Sequence, residues 1–282
     1  MTPDDPRPSV LARGWWWAQD YAYAALRQAA IVGAPWRLGR PRPEPRSWRD
    51  GSAELAEVIL LPGVYEHWTF LRPLGDALSA AGHRVRVVHG LGMNRRGVAE
   101  TSERLGRALA ARPAGPAGRV IVAHSKGGLI GKHLLVTSGA AHAAAAEAAA
   151  GGDPADAAAR APAPASSPPE RGSAAGGAPL GLLGLVAVCT PFHGSPLAGL
   201  FFVPSIRAFL PEDETIVMLG RDESVNGRIV SVFGRFDPHI PNGSALDGAT
   251  NVIVPAQGHF AVLGSPHTHA AVLDGVRMLS AG

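Results

Sequence analysis

Residues 120–129 read VIVAHSKGGL, and this stretch decides the fold. An unbroken apolar run is typical of a strand buried on both faces, and a helical pattern follows it directly. Ser125 lies at the junction, with Ala123 two positions before it and Gly127 two positions after it. This is the G-x-S-x-G pattern with Ala in the first place. It predicts a sharp strand-to-helix turn that holds a serine in a strained conformation and presents its hydroxyl.

The same alternation of strand and helix continues on both sides of this stretch. Short continuous apolar runs predict strands at 58–61, 85–88, 119–123, 184–189, 228–233 and 250–254. Apolar residues at helical spacing predict helices at 70–78, 105–109, 126–137 and 267–280. Continuous rather than alternating strands, separated by helices, indicate an α/β fold with a parallel sheet covered on both faces.

Ser125 has two interpretations, an ordinary helix N-cap or a nucleophile. A serine hydroxyl becomes a nucleophile only when a base removes its proton and an acid orients that base. In a parallel sheet these groups come from loops at the carboxyl ends of strands. The strand-turn-helix setting and the presence of such groups downstream favour the nucleophile.

Asp237 is the candidate acid, because it comes directly after the strand predicted at 228–233. A plain turn-capping role before Pro238 is the alternative. Asp222 and Asp247 are rivals, but neither directly follows a strand.

His259 is the candidate base, because it follows the strand predicted at 250–254. Its rivals His267 and His269 lie where the last helix begins, which predicts cap or surface positions. No acid or cysteine cluster accompanies that pair, so no metal site is expected.

The order Ser125, Asp237, His259 resembles that of the α/β-hydrolase superfamily, most closely its lipase and esterase members, over residues 56–138 and 180–280. Further resemblance lies in CTPFHGS at 189–195, DPHIP at 237–241, GH at 258–259 and PGV at 62–64. In the first of these the family usually has His where this chain has Phe192.

The resemblance implies an α/β-hydrolase fold with a mostly parallel central sheet, helices on both faces and a small or minimal cap. It implies a serine hydrolase that cleaves carboxylic esters through Ser125, His259 and Asp237, with a small-molecule or lipid ester as substrate and no cofactor. The backbone amides of Val64 and Lys126 would form the oxyanion hole. Predicted substrate contacts are Glu66, His67, Trp68, Phe192 and Phe201.

Three residues beside this predicted site are expected to have structural roles. His124 is interpreted as a packing residue at the end of the sheet, and the Lys126 side chain as a solvated helix residue. Gly127, with the glycine after it, would permit close approach of helix and strand.

The 282 residues include 46% apolar residues, but alanine is spread unevenly. Residues 139–178 contain 19 alanines and no Leu, Ile, Val, Phe or Trp, so this insert cannot supply core. It interrupts a hydrolase domain predicted over residues 51–282. A lid is the alternative for the insert, but lids need an apolar face, and the apolar stretch at 197–206 is a better candidate for a small cap.

Residues 1–50 account for the whole net charge of +3, since the remaining 232 residues contain equal numbers of acids and bases. A basic body that binds nucleic acid is therefore not expected. The prediction for this region is an amphipathic helix at 9–33 followed by an extended Pro- and Arg-rich linker at 34–50. The helix carries several Trp residues, which suits either packing against the main domain or peripheral contact with a membrane.

The single cysteine, Cys189, excludes an intrachain disulfide and is expected to be a small buried residue. The first residues are acidic and unlike a secretory signal, so a cytoplasmic location is expected, with peripheral membrane association through the N-terminal helix left open as an alternative. Two other functions stay open. One is amide, thioester or lactone hydrolysis on the same fold. The other is a non-catalytic protein that binds a membrane or a partner through its N-terminal helix.

Overall fold

The computed structural model describes residues 9–32, 43–91, 93–150, 180–200 and 203–281. Their centre is one six-stranded sheet in which every pairing is parallel. The strands are β1 Glu57–Leu61, β2 Val85–Val87, β3 Arg119–His124, β4 Leu182–Val188, β5 Ile229–Phe236 and β6 Thr250–Gln257. All six predicted strands are present, and the predicted α/β class is confirmed.

The strand order is β2-β1-β3-β4-β5-β6, so the direction of winding reverses between β1 and β3. Ligand sites in such sheets lie at the carboxyl ends of the strands where the order reverses. The turn after β1 and the serine after β3 lie at this point. The topology therefore places both predicted elements at one edge of the sheet.

Helices cover both faces of the sheet. The helices are α1 Val10–Val32, α2 Arg72–Ala80, α3 Val98–Ala110, α4 Lys126–Ala150, α5 Pro204–Arg207, α6 Glu214–Arg221 and α7 Pro266–Ala281. Side chains of α3, α4 and α6 pack in the core on one face, and those of α2 and α7 pack on the other. Together with the sheet, these helices form the two-sided layer arrangement that the sequence predicts.

Several elements differ in extent from the prediction. The helix expected at 70–78 begins as a 3-10 turn, Trp68–Leu71, because Pro73 favours a helix start just after it. Helix α4 continues to Ala150 through the alanine run at the start of the predicted insert, whose residues 151–178 lie outside the described part. Helix α6 is additional to the predicted elements.

The predicted linker at 34–50 contains a packed element in its described part. Residues Arg46–Arg49 form a 3-10 turn, and Trp48 is completely buried in the core beneath α2. Its indole N–H donates to Asp76 Oδ1 over 2.8 Å. A large aromatic ring with a satisfied polar group holds this segment to the body, so residues 43–50 are not an extended spacer.

A small cap follows β4. It comprises a 3-10 turn at Pro196–Leu200 and the single-turn helix α5, and the two residues before Val203 lie outside the described part. Leu200 and Val203 are exposed on this cap. Within the described residues, none of the helices combines the length and apolar character needed to cross a membrane.

The chain contains two lysines, and both lie on α4. Lys126 is 1% exposed and Lys132 is 0% exposed. All other cationic side chains except histidine are arginines. The folded protein therefore has no lysine on its surface.

Candidate active site

Ser125 occupies a strained turn between β3 and α4. Its φ is +52°, in the left-handed region that non-glycine residues rarely adopt. The turn is fixed by a hydrogen bond from Ser125 N–H to Val188 O over 2.9 Å. A Cβ atom on Gly127 would collide with the carbonyl oxygen of Leu61, so only glycine permits this close approach of helix and strand. The strained elbow that the sequence predicts is present.

The structure brings Ser125, His259 and Asp237 together in hydrogen-bonding order. His259 Nε2 lies 3.0 Å from Ser125 Oγ, and His259 Nδ1 lies 2.8 Å from Asp237 Oδ2. The three residues are 7%, 5% and 9% exposed, respectively. Because the carboxylate can only accept, Nδ1 carries the proton and Nε2 is free to accept the serine proton.

Asp237 is held ionised and in a single orientation. Its Oδ1 accepts the backbone N–H groups of His239 over 2.8 Å and Ile240 over 3.1 Å, which leaves Oδ2 for His259. Burial raises the pKa of Asp237, but the His259 imidazole and the His239 N–H outweigh it and hold that pKa below its ordinary value. The carboxylate can therefore orient the imidazole at neutral pH.

His124 connects two loops of the site beneath the triad. Its Nδ1 lies 2.7 Å from Glu66 Oε1, and its Nε2 lies 2.9 Å from the carbonyl oxygen of His259. Both partners are acceptors, so both ring nitrogens must carry protons and the ring is an imidazolium. Burial lowers the pKa of His124, but the charge and hydrogen bond of Glu66 outweigh it and raise that pKa overall. The expected packing residue is part of a buried ion pair.

Glu66 extends this pair to the turn after β1. Its second oxygen, Oε2, accepts the N–H of Gly63 over 2.8 Å. The turn, the elbow and the histidine loop are thus joined by one chain of hydrogen bonds through Glu66 and His124. Such a chain fixes the relative positions of loops that must act together.

The two amides predicted to form the oxyanion hole lie at the ends of β1 and β3. Val64 follows Gly63 in the turn after β1, and Lys126 begins α4, where the first N–H groups have no partner inside the helix. Beyond Val64, Tyr65 has a φ of +59°, donates its N–H to Met93 O, and contacts the cap through its hydroxyl, 2.8 Å from Ser205 Oγ.

The sequence predicts a solvated side chain for Lys126, but the structure buries it. It turns inward and its ammonium group donates to the carbonyl oxygens of Asn94, over 3.0 Å, and Arg96. Burial lowers the pKa of Lys126 to about 8. Asn94 in turn donates its side-chain N–H to Pro62 O over 2.7 Å, so the lysine supports the turn after β1 from below.

The five predicted substrate contacts have different positions. Three of them, Glu66, Trp68 and Phe192, are 2%, 4% and 1% exposed and lie in the interior. Glu66 is paired with His124, whereas Trp68 and Phe192 pack in the two core layers. His67 is half-buried, and its Nδ1 lies 3.1 Å from Thr69 Oγ1. Phe201 lies outside the described residues.

The rival acids and bases lie elsewhere. Asp222 accepts the N–H of Ser224 at the end of α6, and Asp247 is exposed in a loop. His267 is exposed at the start of α7, and His269 Nε2 contacts the carbonyl oxygen of Leu263 over 2.8 Å.

One group of three potential metal ligands occurs among the described residues. Cys189, Asp237 and His259 bring a sulfur, a carboxylate oxygen and a ring nitrogen within 4.8 Å of one another. Burial raises the pKa of the Cys189 thiol well above its ordinary value, so the thiolate that a metal requires is disfavoured. The other two groups are hydrogen-bonded to each other through Nδ1, and this arrangement suits proton transfer better than metal binding.

Asp20 belongs to this region, although it lies more than 200 residues from His259 in the sequence. Asp20 lies on α1, is completely buried, and accepts the N–H groups of Phe260 and Ala261. It is the one acid within α1, whose other charged residues are Arg13 and Arg27. An isolated acid in an amphipathic helix was the available signal, but nothing in the local pattern indicates which distant loop it contacts.

No protein-family model matches the chain, and no curated protein is significantly similar to it in sequence. Solved structures are similar in fold. Aspergillus fumigatus lipase B has 17% identity and a TM-score of 0.54, over 83% of this chain and 55% of that one. A metagenomic carboxyl esterase has 15% identity and a TM-score of 0.50, over 86% of this chain and 79% of that one.

A third similar structure belongs to the metagenome-derived lipolytic enzymes LipS and LipT. It has 12% identity and a TM-score of 0.50, over 81% of this chain and 96% of that one. At these identities the likeness concerns the fold. Together with the parallel sheet, its strand order and the elbow at Ser125, it shows that the chain has the α/β-hydrolase fold.

Proposed function

We propose that the protein is a serine hydrolase of carboxylic esters. The observation that carries this proposal is the hydrogen-bonded series from Ser125 Oγ to His259 to Asp237 on a strained elbow. The resemblance in fold to a lipase and a carboxyl esterase supports the same reaction class.

The reaction proceeds in two steps. Ser125 Oγ attacks the ester carbonyl carbon while His259 Nε2 takes its proton, and Asp237 stabilises the resulting imidazolium. The carbonyl oxygen becomes an oxyanion that the N–H groups of Val64 and Lys126 receive. The alcohol leaves with the proton from His259, and water then attacks the acyl-enzyme through the same histidine, releasing the acid and restoring Ser125.

An activity probe tests the nucleophile. A fluorophosphonate should label the wild type, and Ser125→Ala should not be labelled. Ser224→Ala, at an exposed serine that is hydrogen-bonded to Asp222, should be labelled like the wild type. Labelling of Ser125→Ala at the wild-type rate, or no labelling of the folded wild type, would contradict the proposal.

Aryl esters of increasing acyl length then define the substrate class. The exposed Leu200 and Val203 of the cap favour apolar acyl chains. Amide, thioester and lactone substrates of matched size belong in the same assay. Faster turnover of one of these than of any ester would move the assignment to that reaction.

Peripheral membrane contact through residues 9–33, on the cytoplasmic side, is a second part of the proposal. Leu11, Trp15 and Leu26 of α1 are 86%, 63% and 72% exposed, and apolar side chains of this kind insert at a lipid interface. The variant Leu11→Ser/Trp15→Ser should lose co-sedimentation with phosphatidylglycerol vesicles. Equal sedimentation of wild type and variant would contradict this part and leave the hydrolase assignment intact.

A further inference from the structure

Helix α1 packs its one acid against the loop that carries His259. Asp20 is completely buried, and a buried carboxylate is costly unless hydrogen bonds or charges stabilise it. Its Oδ1 accepts two hydrogen bonds, from Phe260 N–H over 2.7 Å and from Ala261 N–H over 2.8 Å. These are the two backbone groups that directly follow His259.

The histidine loop has room for this carboxylate because of Gly258. Its φ is +93°, and a Cβ atom there would lie 2.5 Å from Asp20 Oδ1. The N–H of Gly258 donates to Phe236 O over 2.8 Å, so the loop is held to β5 on the other side. A glycine before the histidine and an acid from α1 therefore define the backbone path through His259.

The same helix also contacts the loop that carries Asp237. Asp20 Oδ2 lies 3.6 Å from His239 Nε2, within ion-pair distance but too long for a hydrogen bond. The rings of Trp17 and Tyr21 each lie 5.6 Å from the His239 ring, whose centroid is 5.0 Å from that of His259. Helix α1 thus contacts both loops that supply the predicted acid and base.

We propose that Asp20 is a positioning residue for the catalytic base: by accepting the N–H groups of Phe260 and Ala261 it fixes the backbone that aims His259 at Ser125, so that the N-terminal helix completes the active site. This inference rests on the proposed function. It assigns to α1 a role in the reaction that is separate from any membrane contact, because Asp20 lies on the buried side of the helix and Leu11 and Trp15 on the exposed side.

Two substitutions distinguish the effect of the Asp20 acceptor oxygen from the effect of its negative charge. Asp20→Asn keeps an oxygen for both N–H groups, whereas Asp20→Ala leaves them without a partner. We expect Asp20→Ala to lower kcat for an aryl ester by about 10²-fold, since a small misplacement of a catalytic group costs that much, with KM little changed. Asp20→Asn should retain most of the wild-type kcat.

Asp213→Ala is a matched control. Asp213 also accepts a backbone N–H at the start of a helix, that of Thr215 over 3.0 Å, but it caps α6 rather than the histidine loop. Both Asp213→Ala and Asp20→Ala remove an acceptor of backbone N–H groups, so both should lose stability. Asp213→Ala should nevertheless keep the wild-type kcat. The proposal is overturned if Asp20→Ala keeps the wild-type kcat, if Asp20→Asn loses as much as Asp20→Ala, or if the control loses as much as either.

Amide hydrogen exchange provides a readout that is independent of activity. The amides of Phe260 and Ala261 should exchange faster in Asp20→Ala than in the wild type or Asp20→Asn. If the wild type hydrolyses no ester and takes no fluorophosphonate, the proposed function fails. Exchange then still decides whether Asp20 fixes this loop, and unchanged exchange in Asp20→Ala would overturn that contact.

Discussion

His124 and His259 lie side by side, with ring centroids 4.8 Å apart, yet their hydrogen-bond partners differ. His124 faces two acceptors, the Glu66 carboxylate and a carbonyl oxygen, and must be charged. His259 faces a carboxylate on one side and, on the other, a hydroxyl that can donate to Nε2, so Nε2 is placed to take the proton of Ser125. At the scale of single residues, hydrogen-bond partners determine which histidine can act as a base.

The charge on His124 depends on Glu66. Because its folded pKa is raised, protonation of His124 stabilises the fold fully below about pH 6.5, and this contribution is lost as pH rises through the folded pKa. In Glu66→Gln the hydrogen bond to the His259 carbonyl and the charge of Asp237 still oppose burial, but the largest opposing influence is gone, and the pKa of His124 should fall. The variant should lose about 3 kcal/mol of stability, most strongly in acid.

Histidine Cε1–H resonances followed by NMR across pH measure this pKa, and urea unfolding at two pH values measures the stability. Glu54→Gln, at an exposed acid, is the control. An unchanged His124 titration in Glu66→Gln would contradict the buried ion pair.

Asp237→Asn should damage catalysis through the tautomer of His259. The two N–H groups at Oδ1 require an oxygen there, so the asparagine amide nitrogen must face His259 Nδ1. That nitrogen donates, which moves the imidazole proton to Nε2 and removes the base. We expect kcat to fall by about 10⁴-fold, with little change in the melting temperature. A loss below tenfold would show that Asp237 is not the orienting acid.

At the scale of elements, the buried side chain of Lys126 ties α4 to the loop that supports the turn after β1. Lys126→Met removes two hydrogen bonds to carbonyl oxygens and frees Asn94, which holds Pro62. We expect kcat to fall by about 10²-fold as one oxyanion donor shifts, and stability to fall by about 2 kcal/mol.

Lys132→Met is a control on the same helix. Within the described residues Lys132 Nζ is without a hydrogen-bond partner, so its loss should leave stability unchanged or increase it.

The lowered pKa of Lys126 adds a pH test. Between about pH 8 and 10.5 the Lys126 amine is deprotonated in the folded state but still protonated in the unfolded state. Stability rises with pH wherever the unfolded state binds more protons, so the wild type should gain stability relative to Lys126→Met over this range. Equal kcat in Lys126→Met and wild type would exclude a link between this lysine and the proposed oxyanion hole.

The elements that the sequence predicts well are those with a local cause. Continuous apolar runs identify all six strands, and the spacing around Ser125 identifies the elbow. Long-range contacts have no such local signal. The burial of Trp48 under α2, the contact of Asp20 with the histidine loop and the inward turn of Lys126 each depend on a partner at least 28 residues away.

On the scale of the whole molecule, five buried ionisable groups lie near one edge of the sheet. Asp20, Glu66, His124, Lys126 and Asp237 are all buried there. Predicting their proximity requires the strand order, in which β1 and β3 are neighbours although about 60 residues separate them. Candidate acids and bases were therefore found from the sequence, whereas the charges that support them were not.

The burial of both lysines makes the folded chain unusual as a target for amine chemistry. An acylating N-hydroxysuccinimide ester should modify neither lysine of the native protein, and both once the chain unfolds. Intact-mass spectrometry at increasing urea would then count unfolded molecules directly. Modification of a lysine under native conditions would show that α4 opens locally before the whole molecule does.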